Sequence, residues 1–221
     1  MAWDRRRLLL GLAAFGIGMT PWRGAQAELN CSQIPGGRAC DALIRTSRFA
    51  NVRAVQQTLV WCWAATLEMI FRWHGHPISQ QSIVSQTFGA PVVTTANPLV
   101  LINAVNRAYR DDAGRPFQVS ARVWGPDYGL AQIDNRTLVD SLSRERPLVV
   151  CNMSHMMALV GINFVQGSMG LQVRQAWVAD PMLLGQVSPD LAAGFRYLLP
   201  AEIIPATQGG QLRFVADVSV S

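Results

Sequence analysis

The chain contains no lysine; all 19 of its basic residues are arginine. That excludes an intrachain Schiff-base lysine and a phosphate-loop lysine. Histidine is scarce, with only His74, His76 and His155, so few groups can exchange a proton near neutrality. Cysteine is confined to Cys31, Cys40, Cys62 and Cys151. No Cys-x-x-Cys or His-x-x-x-His spacing occurs, which argues against zinc, and His74-Gly75-His76 reads better as a helix-ending turn than as a metal pair. No metal and no cofactor are expected. Beyond residue 27 no apolar run is long enough to cross a bilayer, so no stable membrane anchor is expected either.

The N-terminus carries an address. Asp4-Arg5-Arg6-Arg7 is a basic start, Leu8 to Met19 is apolar, and Ala25-Gln26-Ala27 is a small-x-small cleavage site. Residues 1–27 read as an export signal, with an arginine pair that resembles a twin-arginine signal; a general secretory signal fits as well. The expected location is periplasmic or secreted. The formal charge of +5 is largely carried by that signal, and the rest of the chain shows no nucleic-acid footprint. In an oxidising compartment Cys31 and Cys40 are expected to pair around Pro35-Gly36-Gly37, while Cys151 in an apolar strand reads as packing.

Cys62 stands where chemistry is plausible. It opens an apolar helical pattern six residues after Gln56, in Gln56-Gln57-Thr58-Leu59-Val60-Trp61-Cys62-Trp63. A helix N-terminus favours thiolate over thiol, and an upstream glutamine amide can donate to an oxyanion. Gln57 fits that second role if the loop differs, and a buried core cysteine is the competing reading. The helix is predicted to reach about Trp73, which puts His74 and His76 roughly 18 Å or more from the thiol. His155 is therefore the imidazole partner to expect.

His155 opens a predicted strand, His155 to Val165, after a buried strand from Pro147 to Met153. A Gly167-Ser168 turn leads to a third strand, Leu171 to Ala179, ending in Asp180-Pro181. With that loop, His155 faces Asp180 and both side chains share one side of the sheet. A carboxylate there fixes the imidazole tautomer and steadies the imidazolium. The alternative is that Asp-Pro merely ends the strand.

The order Gln56, Cys62-Trp63 with Met69-Ile70, His155 with Ala158-Leu159-Val160-Gly161, and Asp180-Pro181 resembles the papain-like cysteine peptidases. It is most similar to their compact bacterial branch, the bacteriocin-leader peptidases and effector peptidases. Trp61 departs from the small residue that usually precedes the nucleophile, and Asp180 stands where papain has asparagine. The resemblance implies a peptidase acting on a peptide or protein substrate through Cys62, His155 and Asp180. An acyltransferase or transpeptidase with the same triad, and a catalytically silent binding module, are the rival readings.

The expected fold is α+β and papain-like, with an N-terminal helical half carrying the nucleophile and a C-terminal antiparallel β-sheet half. Residues 28–51 are expected to form an N-terminal arm and 52–221 the peptidase domain. Ser79, Asn97 and Asn135 are predicted helix caps, and Phe195 to Leu199 and Leu212 to Val218 are predicted strands. Trp61, Trp63 and Trp124 are candidate substrate contacts, with Tyr128 beside the last of them; Trp73 reads as a core anchor. The sequence gives no basis for an oligomeric state.

Overall fold

A computed structural model describes residues 28–153, 155–168, 170–187 and 191–221. The export-signal expectation for residues 1–27 lies outside them. The described chain begins with a hairpin, β1 (Glu28–Ile34) and β2 (Gly37–Leu43), and a short helix α1 (Thr46–Ala50). Helices α2 (Cys62–Trp73), α3 (Gln80–Phe88) and α4 (Pro98–Ala104) follow. Strands β3 (Ala108–Arg110), β4 (Pro116–Gly125) and β5 (Leu130–Ala131) precede helix α5 (Asn135–Ser143). The chain continues through β6 (Leu148–Asn152), β7 (His155–Gly167), β8 (Gly170–Ala179), β9 (Phe195–Tyr197), α6 (Pro200–Ile203) and β10 (Leu212–Val220). The fold is α+β, with one mostly antiparallel sheet in the order β1-β2-β7-β6-β10-β4-β3; β8 and β9 branch from β7, and β5 from β4.

Helix starts and stops obey local chemistry. The Ser79 and Asn97 side chains accept the N–H groups of Ser82 and Val100, and Pro98 occupies the first turn of α4, where its missing N–H costs nothing. The α5 cap is Asp134 rather than the expected Asn135, its carboxylate accepting the Thr137 N–H at 2.8 Å. Helix α3 stops at Gly89, which adopts the left-handed backbone at φ 80. Helix α2 is apolar on almost every side and is enclosed accordingly, with only Arg72 outside its run of buried residues.

Strand β7 organises the sheet. Its first half pairs with β6 and its second half with β2 along one edge, while β8 runs along the other. Gly161 lies where those partners converge. A Cβ there would sit 2.3 Å from Leu43 Cδ1 and 3.0 Å from Trp177 Cε3, so no side chain fits without displacing both.

Residues 28–51 pack onto the rest of the fold: β2 pairs with β7 from Gly161 to Gly167, and Phe49 of α1 is fully buried. One expectation is corrected: helices do not simply precede strands. The β1–β2 hairpin comes first, and β4 inserts between helices with the alternation Phe117, Val119, Val123 buried against exposed Gln118, Ser120 and Arg122. That period of two is visible in the sequence and marks a half-buried strand.

Candidate active site

Cys62 is the first residue of α2 and is 9 % exposed. One turn later, the buried Thr66 hydroxyl donates to the Met156 carbonyl at 3.0 Å. This bond ties α2 to β7 immediately beside His155. On the sheet side, Asn152 pairs with His155 across the β6–β7 turn. Met153 in that turn takes φ 51, a left-handed conformation costing roughly 1 kcal/mol for a residue with a Cβ, and its N–H is held by Gln211 O at 3.0 Å. His155 thus begins β7 at its mouth, and its ring hydrogen-bonds to the Cys62 thiol.

The opposite ring nitrogen, His155 Nε2, lies 2.7 Å from Asp180 Oδ1. Nδ1 is therefore the nitrogen left for Cys62, and the carboxylate sets that tautomer. The contact does not arise from direct strand opposition. Gly167 pairs with Gly170, so the register sits two residues from the expected one, and β8 ends at Ala179 opposite Ala158. A shift of two keeps side chains on the same face, and the irregularities at Leu159/Gly161 and Asn163/Phe164 cancel along the hairpin. Asp180, just past the strand, reaches back to the ring. It is fixed by the Met182 N–H on Oδ1 at 2.9 Å and by its own N–H on Gly194 O.

The electrostatics follow from burial against pairing. Burial pushes the Cys62 thiol up, but hydrogen bonds from His155 and from the Met156 and Trp63 backbone, with the imidazolium charge, leave it below its usual value. Burial disfavours a charged His155, yet hydrogen bonds and charge from Asp180 and Cys62 raise it to about 9. Burial also opposes ionised Asp180, and the hydrogen bonds with His155 and Arg196 overcome it, holding the carboxyl at about 2. Cys151 is a different case: burial, with the Cys62 charge nearby, drives it up to about 12, an inert thiol.

Sequence reading missed the groups behind Asp180. Arg196 Nε donates to Asp180 Oδ2 at 2.8 Å, and its two terminal nitrogens grip Glu202 at 2.7 and 2.8 Å. Glu202 also accepts from the Leu199 N–H and from Asn152, the residue paired with His155. The only signal was an arginine between Phe195 and Tyr197 in an apolar segment, with Glu202 six residues on.

The remaining candidates fall as follows. Gln56 donates through Nε2 to Thr58 O at 2.8 Å, and its backbone N–H bonds to Pro181 O at 2.9 Å, next to Asp180. Gln57 is exposed. Trp61 and Trp63, expected as substrate contacts, are only 6 % and 2 % exposed. Their indole N–H groups reach Val92 O at 3.1 Å and Thr94 O at 3.4 Å, so they anchor that segment and leave little surface for a ligand. Trp124 lines a cavity of about 580 Å³ with Leu138, Ile203 and Val215, whose walls include none of Cys62, His155 or Asp180. Cys31 and Cys40 form a disulfide between paired residues of β1 and β2.

The chain matches no curated protein and no solved structure. Residues 46–182, more than half of the chain and a span holding Gln56, Cys62, His155 and Asp180, match the family described as papain-like cysteine protease AvrRpt2. Taken with the thiol and imidazole brought together at the mouth of β7, that match means the chain belongs to this family of papain-like cysteine proteases and is a cysteine peptidase.

Proposed function

We propose that Cys62, His155 and Asp180 are the catalytic triad of a peptidase that cleaves peptide bonds through a thioester. The observation that carries this reading is the continuous hydrogen-bonded line from the Cys62 thiol through His155 to Asp180. The Cys62 thiolate attacks the substrate carbonyl and the C–S bond forms as the carbonyl π pair moves onto oxygen. Gln56 and the Cys62 backbone N–H hold that oxyanion. An amide nitrogen carries two N–H donors, and Thr58 takes one of them, which leaves the other for substrate. His155 gives its proton to the leaving amine as the C–N bond breaks, then takes one from the water that cleaves the thioester.

Exposed apolar side chains stand close in sequence to each triad member. Leu59 is 90 % exposed three residues before Cys62, Met153 62 % two before His155, and Met182 55 % two after Asp180. The substrate is accordingly a polypeptide segment with large apolar side chains near the scissile bond. The helices α2 to α4 lie on the nucleophile side and the sheet on the histidine side, which supports the two-part papain-like arrangement. The basic-then-apolar N-terminus and the Cys31–Cys40 disulfide support export to an oxidising compartment.

The test is proteolysis of a denatured protein substrate by reduced wild-type and Cys62→Ala chains, read by mass spectrometry. Cleavage that survives the substitution removes Cys62 from the mechanism. Adding free amines distinguishes the outcomes of the thioester: hydrolysed termini mean a peptidase, and amine adducts in their place mean acyl transfer.

A further inference from the structure

Gln80 opens α3 and is 1 % exposed. Its side-chain amide is spent entirely inside the molecule, on three groups of the 55–57 segment and α2. Nε2 donates to Val55 O at 2.9 Å and to Glu68 Oε2 at 2.7 Å, and Oε1 accepts the Gln57 N–H at 2.9 Å. Val55 and Gln57 flank Gln56. One amide therefore fixes the carbonyl before that residue and the N–H after it, while Gln56's own N–H is held by Pro181 O. Glu68, 3 % exposed on α2, is in turn paired with Arg72. Such a buried polar cluster is tolerable only when fully satisfied, and satisfied it rigidifies what it holds.

We infer that Gln80 is a positioning residue for the oxyanion site: it clamps the 55–57 backbone to α2 and α3, so that the Gln56 amide is aimed at the carbonyl attacked by Cys62. The inference rests on the oxyanion role of Gln56. Gln80 touches no substrate. Its effect is on the direction of the Gln56 side chain, where displacement of about 1 Å is enough to slow a reaction severalfold or more.

Two reactions of Cys62 separate this role from general support of the fold. Acylation by p-nitrophenyl acetate passes through an oxyanion; alkylation by iodoacetamide is a displacement and forms none. Full-length wild type, Gln56→Ala, Gln80→Met and the double variant are compared in both, with labelling at Cys62 assigned by peptide mass. Gln56→Ala is expected to slow acylation about 100-fold. Gln80→Met slows it about tenfold, and the double variant is no slower than Gln56→Ala alone, because Gln80 acts only through Gln56. Alkylation stays within about twofold throughout. Multiplying effects in the double variant overturn the inference, as does loss of alkylation in Gln80→Met. Gln80→Glu combined with Glu68→Gln keeps an acceptor for the Gln57 N–H and a hydrogen bond between the two side chains, and loses the donor to Val55; it is expected to acylate between wild type and Gln80→Met. Should Gln80→Met not fold, wild-type acylation by that exchanged pair overturns the inference on its own. A normal rate in Gln56→Ala instead shows the oxyanion assignment itself to be wrong, whatever the Gln80 variants do.

Discussion

Thr66 and Met156 hold the two halves of the site in register: the Thr66 hydroxyl donates to the Met156 carbonyl at 3.0 Å, one helical turn after Cys62 and one residue after His155. Both residues are buried, so the bond cannot be replaced by water without opening the α2–β7 contact. Thr66→Val keeps the shape and removes the donor. It is expected to cost about 1 kcal/mol in chemical denaturation and to slow Cys62 alkylation, as the thiol–imidazole alignment loosens. Unchanged alkylation would show that α2 is positioned by apolar packing alone.

The titration of His155 and Asp180 gives the site an electrostatic window. His155 is raised from an ordinary 6.5 to about 9, so its contribution to stability is complete below 6.5 and is lost as pH rises through 9. Asp180 is depressed from 3.8 to about 2, so its contribution is present above 3.8 and is lost as pH falls through 2. Asp180→Asn removes the carboxylate that raises His155, and the alkaline limb of peptidase activity is expected to move down from about 9. His155→Ala leaves burial to act on the thiol, and the pH at which Cys62 becomes alkylated is expected to rise. Profiles of rate against pH for the two variants check both directions.

Arg196 serves two carboxylates, Asp180 at 2.8 Å and Glu202 at 2.7 and 2.8 Å. Arg196→Met leaves Glu202, only 7 % exposed, without its charged partner and removes one of the two cations on Asp180, which keeps His155. The expected loss is about 3–5 kcal/mol in urea denaturation. Arg196→Met combined with Glu202→Met removes charge with charge and is expected to recover a large part of it. Equal midpoints for the single and double variants would mean the cluster is held by Leu199 and Asn152 rather than by the arginine.

The Cys31–Cys40 disulfide closes a loop with a sequence separation of 9 at the edge of the sheet. Replacing both by serine is expected to lower stability by about 2–3 kcal/mol, since the bridge mainly restricts the unfolded chain. Because β2 pairs with the far half of β7, Cys62 alkylation below the new melting midpoint is expected to be unchanged. A fall in alkylation rate would instead couple the hairpin to the site.

What the sequence determined by itself was local. Ser79 and Asn97 announce helix starts because their side chains satisfy N–H groups within three residues. The Cys62 helix is legible because an apolar run sits between Trp61 and the Gly75 turn. His155 stands out because the other two histidines fall at the wrong end of that helix. The hairpin was readable to within two residues, enough to keep His155 and Asp180 on one face. Tertiary structure decided the rest. Only packing shows that Trp61 and Trp63 face inward, since an aromatic beside a nucleophile has the same sequence signature in a core or a cleft. The Arg196–Glu202 and Gln80–Glu68 clusters join residues on separate elements, and no periodicity encodes which charged side chains meet. The β1–β2 hairpin joined the sheet along the half of β7 beyond Gly161, which β6 does not reach and whose N–H and C=O groups would otherwise form an open edge.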